Sequence, residues 1–166
     1  MGYLLDTNVF IQAKNLYYGF DICPAFWQWL DAKSVEGAVF SINEVRDEMI
    51  GRTDELAEWV RGRGDGLFLK QDAAVASSLA LIANWVQAHP NYTPAAKFEF
   101  LQEADYPLIA YAHAHNHIVV THERPEESKK SVKIPNVCLA MNVEYTTPFT
   151  MLRRERARFV LKQAEP

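Results

Sequence analysis

Acidic side chains stand at widely separated places in this sequence, each beside a short apolar run. Asp6 follows Tyr3-Leu4-Leu5, and Glu44 and Glu48 follow Ala38-Val39-Phe40-Ser41. Asp105 precedes an apolar stretch containing Leu108, Ile109 and Ala112, and Glu123 comes just after Ile118-Val119-Val120-Thr121. Each acid has an ordinary use on its own. Asp6 suits a turn or a helix cap, and Glu44 completes the Ser41-x-x-Glu capping pattern. Glu48 and Asp105 suit a helix surface, and Glu123 suits the start of an exposed loop. Gathered together, these carboxylates would repel one another, and their burial would be costly without a neutralising cation. A hard divalent ion such as Mg²⁺ or Mn²⁺ fits that role, because it takes oxygen ligands and keeps several waters. Such an ion supplies phosphoryl chemistry: it orients a phosphodiester, acidifies a bound water and stabilises the leaving oxygen.

The intervening sequence contains the elements needed to bring the acids together. The runs ending at Leu5, Ser41 and Thr121 read as buried strands. Val9 to about Tyr18 is expected to be helical, and Pro24 starts a helix whose apolar face carries Phe26, Trp27 and Leu30. The helix after Ser41 carries Val45, Glu48 and Met49 and weakens near Gly51. Gly62-Arg63-Gly64-Asp65-Gly66 is a turn. Asp72 opens a long Ala-rich helix, and Thr93-Pro94 and Asp105-Tyr106-Pro107 open two more. Residues 124–131 form a solvated loop. Val132 to Val143 is expected to hold one or two short strands broken at Pro135, and Leu152 to Leu161 a basic helix. Strands alternating with helices predict an α/β fold with a mainly parallel sheet. The right-handed crossover rule then places the residues after Leu5, Phe40 and Val120 at one edge of the sheet, where such folds bind ligands.

The chain has 166 residues, 49% hydrophobic and 23% charged, which suits one domain with a substantial core. The expectation is a single domain over 1–166 with a helical insertion at about 54–103. The net charge of −4 argues against a broad phosphate-neutralising surface, though a bound cation would reverse the field locally. The two cysteines, Cys23 and Cys138, form no C-x-x-C pair and read as reduced thiols. No leader-like segment opens the chain, and no apolar run reaches the roughly 18 residues of a membrane span. The cytoplasm is the expected location. Nucleotide-binding glycine loops and the G-x-S-x-G elbow of serine hydrolases are absent from the sequence.

These residues carry a resemblance. Leu4-Leu5-Asp6-Thr7-Asn8 resembles the opening signature of the PIN-domain family. Val45-Arg46-Asp47-Glu48-Met49-Ile50-Gly51 is similar to its second motif. Asp105-Tyr106-Pro107-Leu108-Ile109-Ala110-Tyr111-Ala112 is similar to its third, and Val119-Val120-Thr121-His122-Glu123 to its fourth. The motifs follow the family's order across residues 3–123. The resemblance implies a three-layer α/β/α sandwich and a Mg²⁺- or Mn²⁺-dependent endoribonuclease whose products carry a 5′-phosphate and a 3′-hydroxyl. It further implies a VapC-like toxin of a toxin–antitoxin pair, often dimeric and silenced by an antitoxin. Carried over by residue, Asp6, Glu48, Asp105 and Glu123 would be the catalytic, metal-binding acids. Thr7, Asn8 and Thr121 would support them.

The chain departs from the family pattern in three ways. The fourth acid is more often Asp than Glu, and the stretch between Glu48 and Asp105 is longer than in compact members. Glu44 and Glu48 lie four apart on one helix face, so either can serve as the second acid. Glu48 is preferred for the Met49 and Gly51 that follow it. A catalytically silent PIN-like module binding RNA or a protein is the alternative. His113, His115 and His117 lack a nearby further ligand for zinc. The arginines of residues 153–158 suit either phosphate or antitoxin contact or a solvated helix face.

Overall fold

The computed structural model of the protein describes residues 1–161. Its centre is β1 (Tyr3–Leu5), three large side chains, all buried. A strand buried on both sides must be covered by helices above and below. β2 (Val39–Ile42) pairs on one side of β1 and β4 (Ile118–Val120) on the other, with Leu4 level with Phe40 and Val119. β3 (Phe68–Leu69) and β5 (Tyr145–Thr146) complete a wholly parallel five-stranded sheet in the order β3-β2-β1-β4-β5. The protein is thus an α/β fold, as the alternation of strands and helices predicts, and a three-layer α/β/α sandwich, as the resemblance implies.

Parallel strands place all their C-terminal ends at one edge. The order reverses around β1: the chain first builds outward through β2 and β3, then returns to the other side with β4. A crevice opens at such a reversal. Asp6 stands directly after β1 and Thr121 directly after β4, so both border it.

The helices that load this edge follow from the sequence. α1 (Thr7–Gln12) is capped by Asp6, whose carboxylate accepts from the Asn8 N–H. It continues as a π-helical turn over Ala13–Tyr17, closed by the Tyr18 N–H donating to the Ala13 carbonyl at 2.6 Å. α2 (Pro24–Val35) buries Phe26, Trp27 and Leu30. α3 (Asn43–Ile50) follows β2, and α4 (Glu55–Arg61) is capped by Asp54. α5 (Val75–Ala88) and α6 (Pro94–Gln102) precede α7 (Asp105–His115). α7 is buried through Pro107–Ala112 and packs against α3, α5, α6, β4 and α8 (Ile134–Ala140). A helix enclosed that completely holds its first residue, Asp105, firmly in place. α9 (Pro148–Arg154) follows β5.

Several expectations need correction. Pro135 does not interrupt strands: it occupies the first turn of α8, where its missing N–H costs nothing, and the strand comes later, at Tyr145–Thr146. The basic C-terminal helix starts and stops earlier than expected, because Thr147-Pro148 opens it and Arg156 adopts positive φ two residues after its end. Ser41 and Glu44 form no capping box. The Ser41 hydroxyl donates instead to the Leu5 carbonyl at 2.6 Å, and α3 begins after Ile42 without a side-chain cap. The stretch 54–103 is mostly helical but also carries β3, the outer strand beside β2. Residues 162–166 of the expected domain lie outside the described residues. Cys23 and Cys138 are both free thiols, with Cys138 buried. Among the described residues no helix is long and apolar enough to cross a membrane.

The central strand admits no alternative packing, which sets a first expectation. Leu4 is fully buried, so Leu4→Ala should lower the free energy of unfolding by about 2–5 kcal/mol. Urea denaturation followed by circular dichroism measures this, and a loss under about 1 kcal/mol would show that the core can collapse around the cavity.

Candidate functional site

At the crevice, Asp6 is almost wholly buried, with 1% of its surface exposed. Its two carboxylate oxygens are used differently. One accepts from the Asn8 N–H at 3.3 Å, and the other from the Thr121 hydroxyl at 3.0 Å. The Thr121 oxygen in turn accepts from the Glu123 N–H at 3.1 Å. The ends of β1 and β4 are thereby stitched together by side chains as well as by the sheet. The Asn8 side chain itself is exposed.

Glu48 reaches across from α3. Its carboxylate accepts from the Thr7 hydroxyl at 2.5 Å and from the Ala104 N–H at 3.0 Å. Thr7 is the first residue of α1, and Ala104 is the residue preceding α7. One side chain therefore straps together the helix starts that present Asp6 and Asp105. Glu44 does not take part. It turns toward the segment after β3, where Gln71 donates to its carboxylate. Of the two acids the sequence left open, Glu48 borders the crevice.

Asp6, Glu48 and Asp105 line one hollow of about 320 Å³ with Thr7, Asn8, Ile11 and Glu103. Asp105 and Glu103 also line an adjoining hollow of about 180 Å³ with Glu123 and Lys133. Glu123 is held there: its carboxylate accepts from Lys133 Nζ at 3.1 Å and from the Ile134 N–H at 2.8 Å. The loop of residues 124–131 thus returns to the site and delivers a cation to the fourth acid.

The electrostatics follow from burial and crowding. Burial raises the Asp6 carboxyl to about 6 despite the Thr121 and Asn8 bonds that favour its charge. Asp105 is pushed further, to about 9, first by burial and then by the charges of Asp6, Glu123, Glu103 and Glu48. Glu103 is also raised, by burial and by Glu99 and Glu48. Lys133 is held above its ordinary value chiefly by Glu123 and more weakly by Asp105. Among the described residues, Lys133 pairs with Glu123 alone, and no cation pairs with Asp6 or Asp105.

The donor set suits a hard divalent ion that keeps most of its waters. Among the described residues, no three His, Cys, Asp or Glu side chains stand ready to hold a metal together. Mg²⁺ needs only one or two protein carboxylates, with water filling the other positions. Asp6, buried, and Asp105, half-buried and repelled by it, have the chemistry of such a pair. Glu48 and Glu103 line the same hollow, whereas Glu123 is occupied by Lys133 and the Ile134 N–H.

Sequence reading missed Glu103 and Lys133. Glu103 stands two residues before Asp105 in a turn with no distinctive pattern. Lys133 comes from a polar loop whose path back to Glu123 leaves no mark in the sequence. His113, His115 and His117 lie elsewhere. His117 accepts from the Gly2 N–H at 2.9 Å at the N-terminal end of the sheet, and His113 pairs with Ser78 at 2.8 Å.

The comparisons with known proteins bear on the whole chain. A family described as a domain of unknown function, DUF4411, matches residues 3–159. The chain belongs to the DUF4411 family. That match spans all five strands and every acid at the crevice. No curated protein and no solved structure shows detectable similarity to the chain.

The crowding of Asp105 has a measurable consequence for the DUF4411 protein. An ordinary Asp titrates at 3.8, whereas folded Asp105 keeps its proton up to about 9. Its contribution to stability is therefore complete below the unfolded value and is lost as pH rises toward the folded one. In protein stripped of divalent ions, Asp105→Asn should stabilise the fold more at about pH 8 than at about pH 5. Urea midpoints at the two pH values test this, and equal gains at both would contradict the crowded site.

Proposed function

We propose that the protein is a Mg²⁺- or Mn²⁺-dependent endoribonuclease that hydrolyses RNA phosphodiester bonds. The observation that carries this reading is that Asp6, buried, and Asp105, half-buried, line one hollow at the sheet's reversal point with no cation paired to either among the described residues. Two such carboxyls are costly in a protein that never binds a positive ion there. The four motifs resembling the PIN family fall on the residues that build this crevice, which supports the same reading.

The bound ion would supply charge neutralisation and Lewis acidity at a phosphoryl oxygen. The chain supplies the rest. Asp6 and Asp105 would hold the ion, with Glu48 and Glu103 oriented toward the same hollow and able to accept hydrogen bonds from its waters. Thr121 fixes the rotamer of Asp6, and Thr7 fixes that of Glu48. Glu123, the longer acid in the place where relatives of the PIN type more often carry Asp, acts through Lys133: it holds the ammonium beside Asp105, where it can meet a phosphate oxygen. The toxin half of a toxin–antitoxin pair is the biological role we assign, with RNA as substrate, an antitoxin protein as partner and a homodimer as the assembly.

One observation favours the alternative of a catalytically silent RNA- or protein-binding module. Lys133 already neutralises Glu123, and fewer than three acids are arranged to hold an ion together. Metal response separates the two readings. Mn²⁺ should raise the melting temperature of the wild type and support cleavage of RNA. Asp105→Asn and Asp6→Ala should each lower that cleavage by more than about a hundredfold. Glu44→Gln should retain it. A wild type that neither shifts with Mn²⁺ nor cuts RNA would leave the silent module standing.

A further inference from the structure

Beside the acidic crevice lies an aromatic cluster that the carboxylates do not explain. Tyr17 ends the π-helical turn, His122 sits between Thr121 and Glu123, and Phe149 is the second residue of α9. Tyr17 stacks on His122, with centroids 5.5 Å apart and planes at 25°. Phe149 stands edge-on to both, to Tyr17 at 5.0 Å and 89° and to His122 at 5.8 Å and 66°. Ordinary core aromatics would be covered, yet Tyr17 keeps 44% of its surface exposed, and the neighbouring Leu16 keeps 70%.

The cluster is held rigidly from behind. Tyr18 packs face to face on Phe26 of α2, with centroids 4.4 Å apart, and its carbonyl accepts from the Trp27 indole at 2.7 Å. Tyr17 thus projects outward from a backbone anchored through its neighbour Tyr18. A positive charge accompanies it. Arg153 lies four residues after Phe149 on α9, hence on the same helix face, and its charge is felt at the Tyr18 hydroxyl. Arg154 is committed to Glu144, whereas Arg153 forms no ion pair among the described residues.

Exposed, preoriented aromatic faces with an uncommitted arginine are the groups that hold unpaired bases and their phosphates. A base in a duplex has its faces covered by its neighbours, so only a splayed base can use such a surface. We propose that Tyr17, His122 and Phe149 form a stacking platform that receives an unpaired nucleobase of the RNA, with Arg153 on the adjoining phosphate. This inference rests on the ribonuclease reading above and names the residues that would hold a base outside the carboxylate hollow.

The test uses the full chain carrying Asp105→Asn, so that bound RNA stays intact, and a short fluorescein-labelled oligoadenylate followed by anisotropy. The single strand should bind more tightly than its duplex with oligouridylate. Adding Tyr17→Ala should weaken single-strand binding about 5- to 150-fold, whereas Tyr17→Phe, which keeps the ring, should stay within about two-fold. Tyr17→Ala that folds, by circular dichroism, and binds unchanged overturns the platform. So does equal affinity for duplex, or failure to bind RNA at all, which would mark the face as one for a protein. Wild-type cleavage with Mn²⁺ is scored separately. Cutting without Tyr17 dependence removes the platform and leaves the nuclease, whereas Tyr17-dependent binding without cutting removes the nuclease and leaves the platform.

Discussion

Two carboxyl groups, one buried and one half-buried, line a single hollow at the end of a parallel sheet, and much of the surrounding structure serves to keep them there. Left to itself, the pair would protonate or move apart, since burial and mutual repulsion both oppose charge. The protein prevents the second outcome by construction. Asp6 is fixed by the last residue of β1 and by the Thr121 hydroxyl, and Asp105 by the enclosed helix α7. Glu48 then ties the starts of α1 and α7 to each other through Thr7 and Ala104. With both groups fixed in place, the repulsion is expressed in carboxyls raised above their ordinary range.

On the proposed reading, that arrangement would also let an acidic chain address a polyanion. The net charge of −4 is partly concentrated where a divalent ion would cancel it. The remaining cations near the crevice are few and placed individually: Lys133 on Glu123, and Arg153 on the face of α9 that carries Phe149. Specific placement replaces a broad basic surface. Affinity for a phosphate chain would accordingly depend on the ion far more than on the general field of the protein.

The parts of this site that were legible in the sequence are those governed by local rules. Buried strands announce themselves as apolar runs, so β1, β2 and β4 and the acids that follow them could be placed, and Pro107 within a long apolar stretch marked α7. β3 and β5 have two residues each, too short to show a period, and both were fixed by pairing with an inner strand. Pro135 was misread because the same residue suits a helix start as well as a strand break. The Ser41–Glu44 spacing fitted a capping box, but a buried Leu5 carbonyl competed for the hydroxyl and won. Glu103 and Lys133 meet the other acids only through the folded path of a turn and a loop. Neither a propensity nor a motif encodes that meeting.

The π-helical turn at Ala13–Tyr17 has a bearing on how relatives of this chain can diverge. A π-turn holds one more residue than the α-turn it replaces. Removing a single residue there would return the turn to α geometry, shortening the segment that carries Tyr17 and Tyr18 while leaving Asp6 and the start of α1 in place. The stacking of Tyr17 on His122 and of Tyr18 on Phe26 would then have to be remade on the shortened turn. The aromatic end of this helix can therefore vary in length independently of the end that borders the acids.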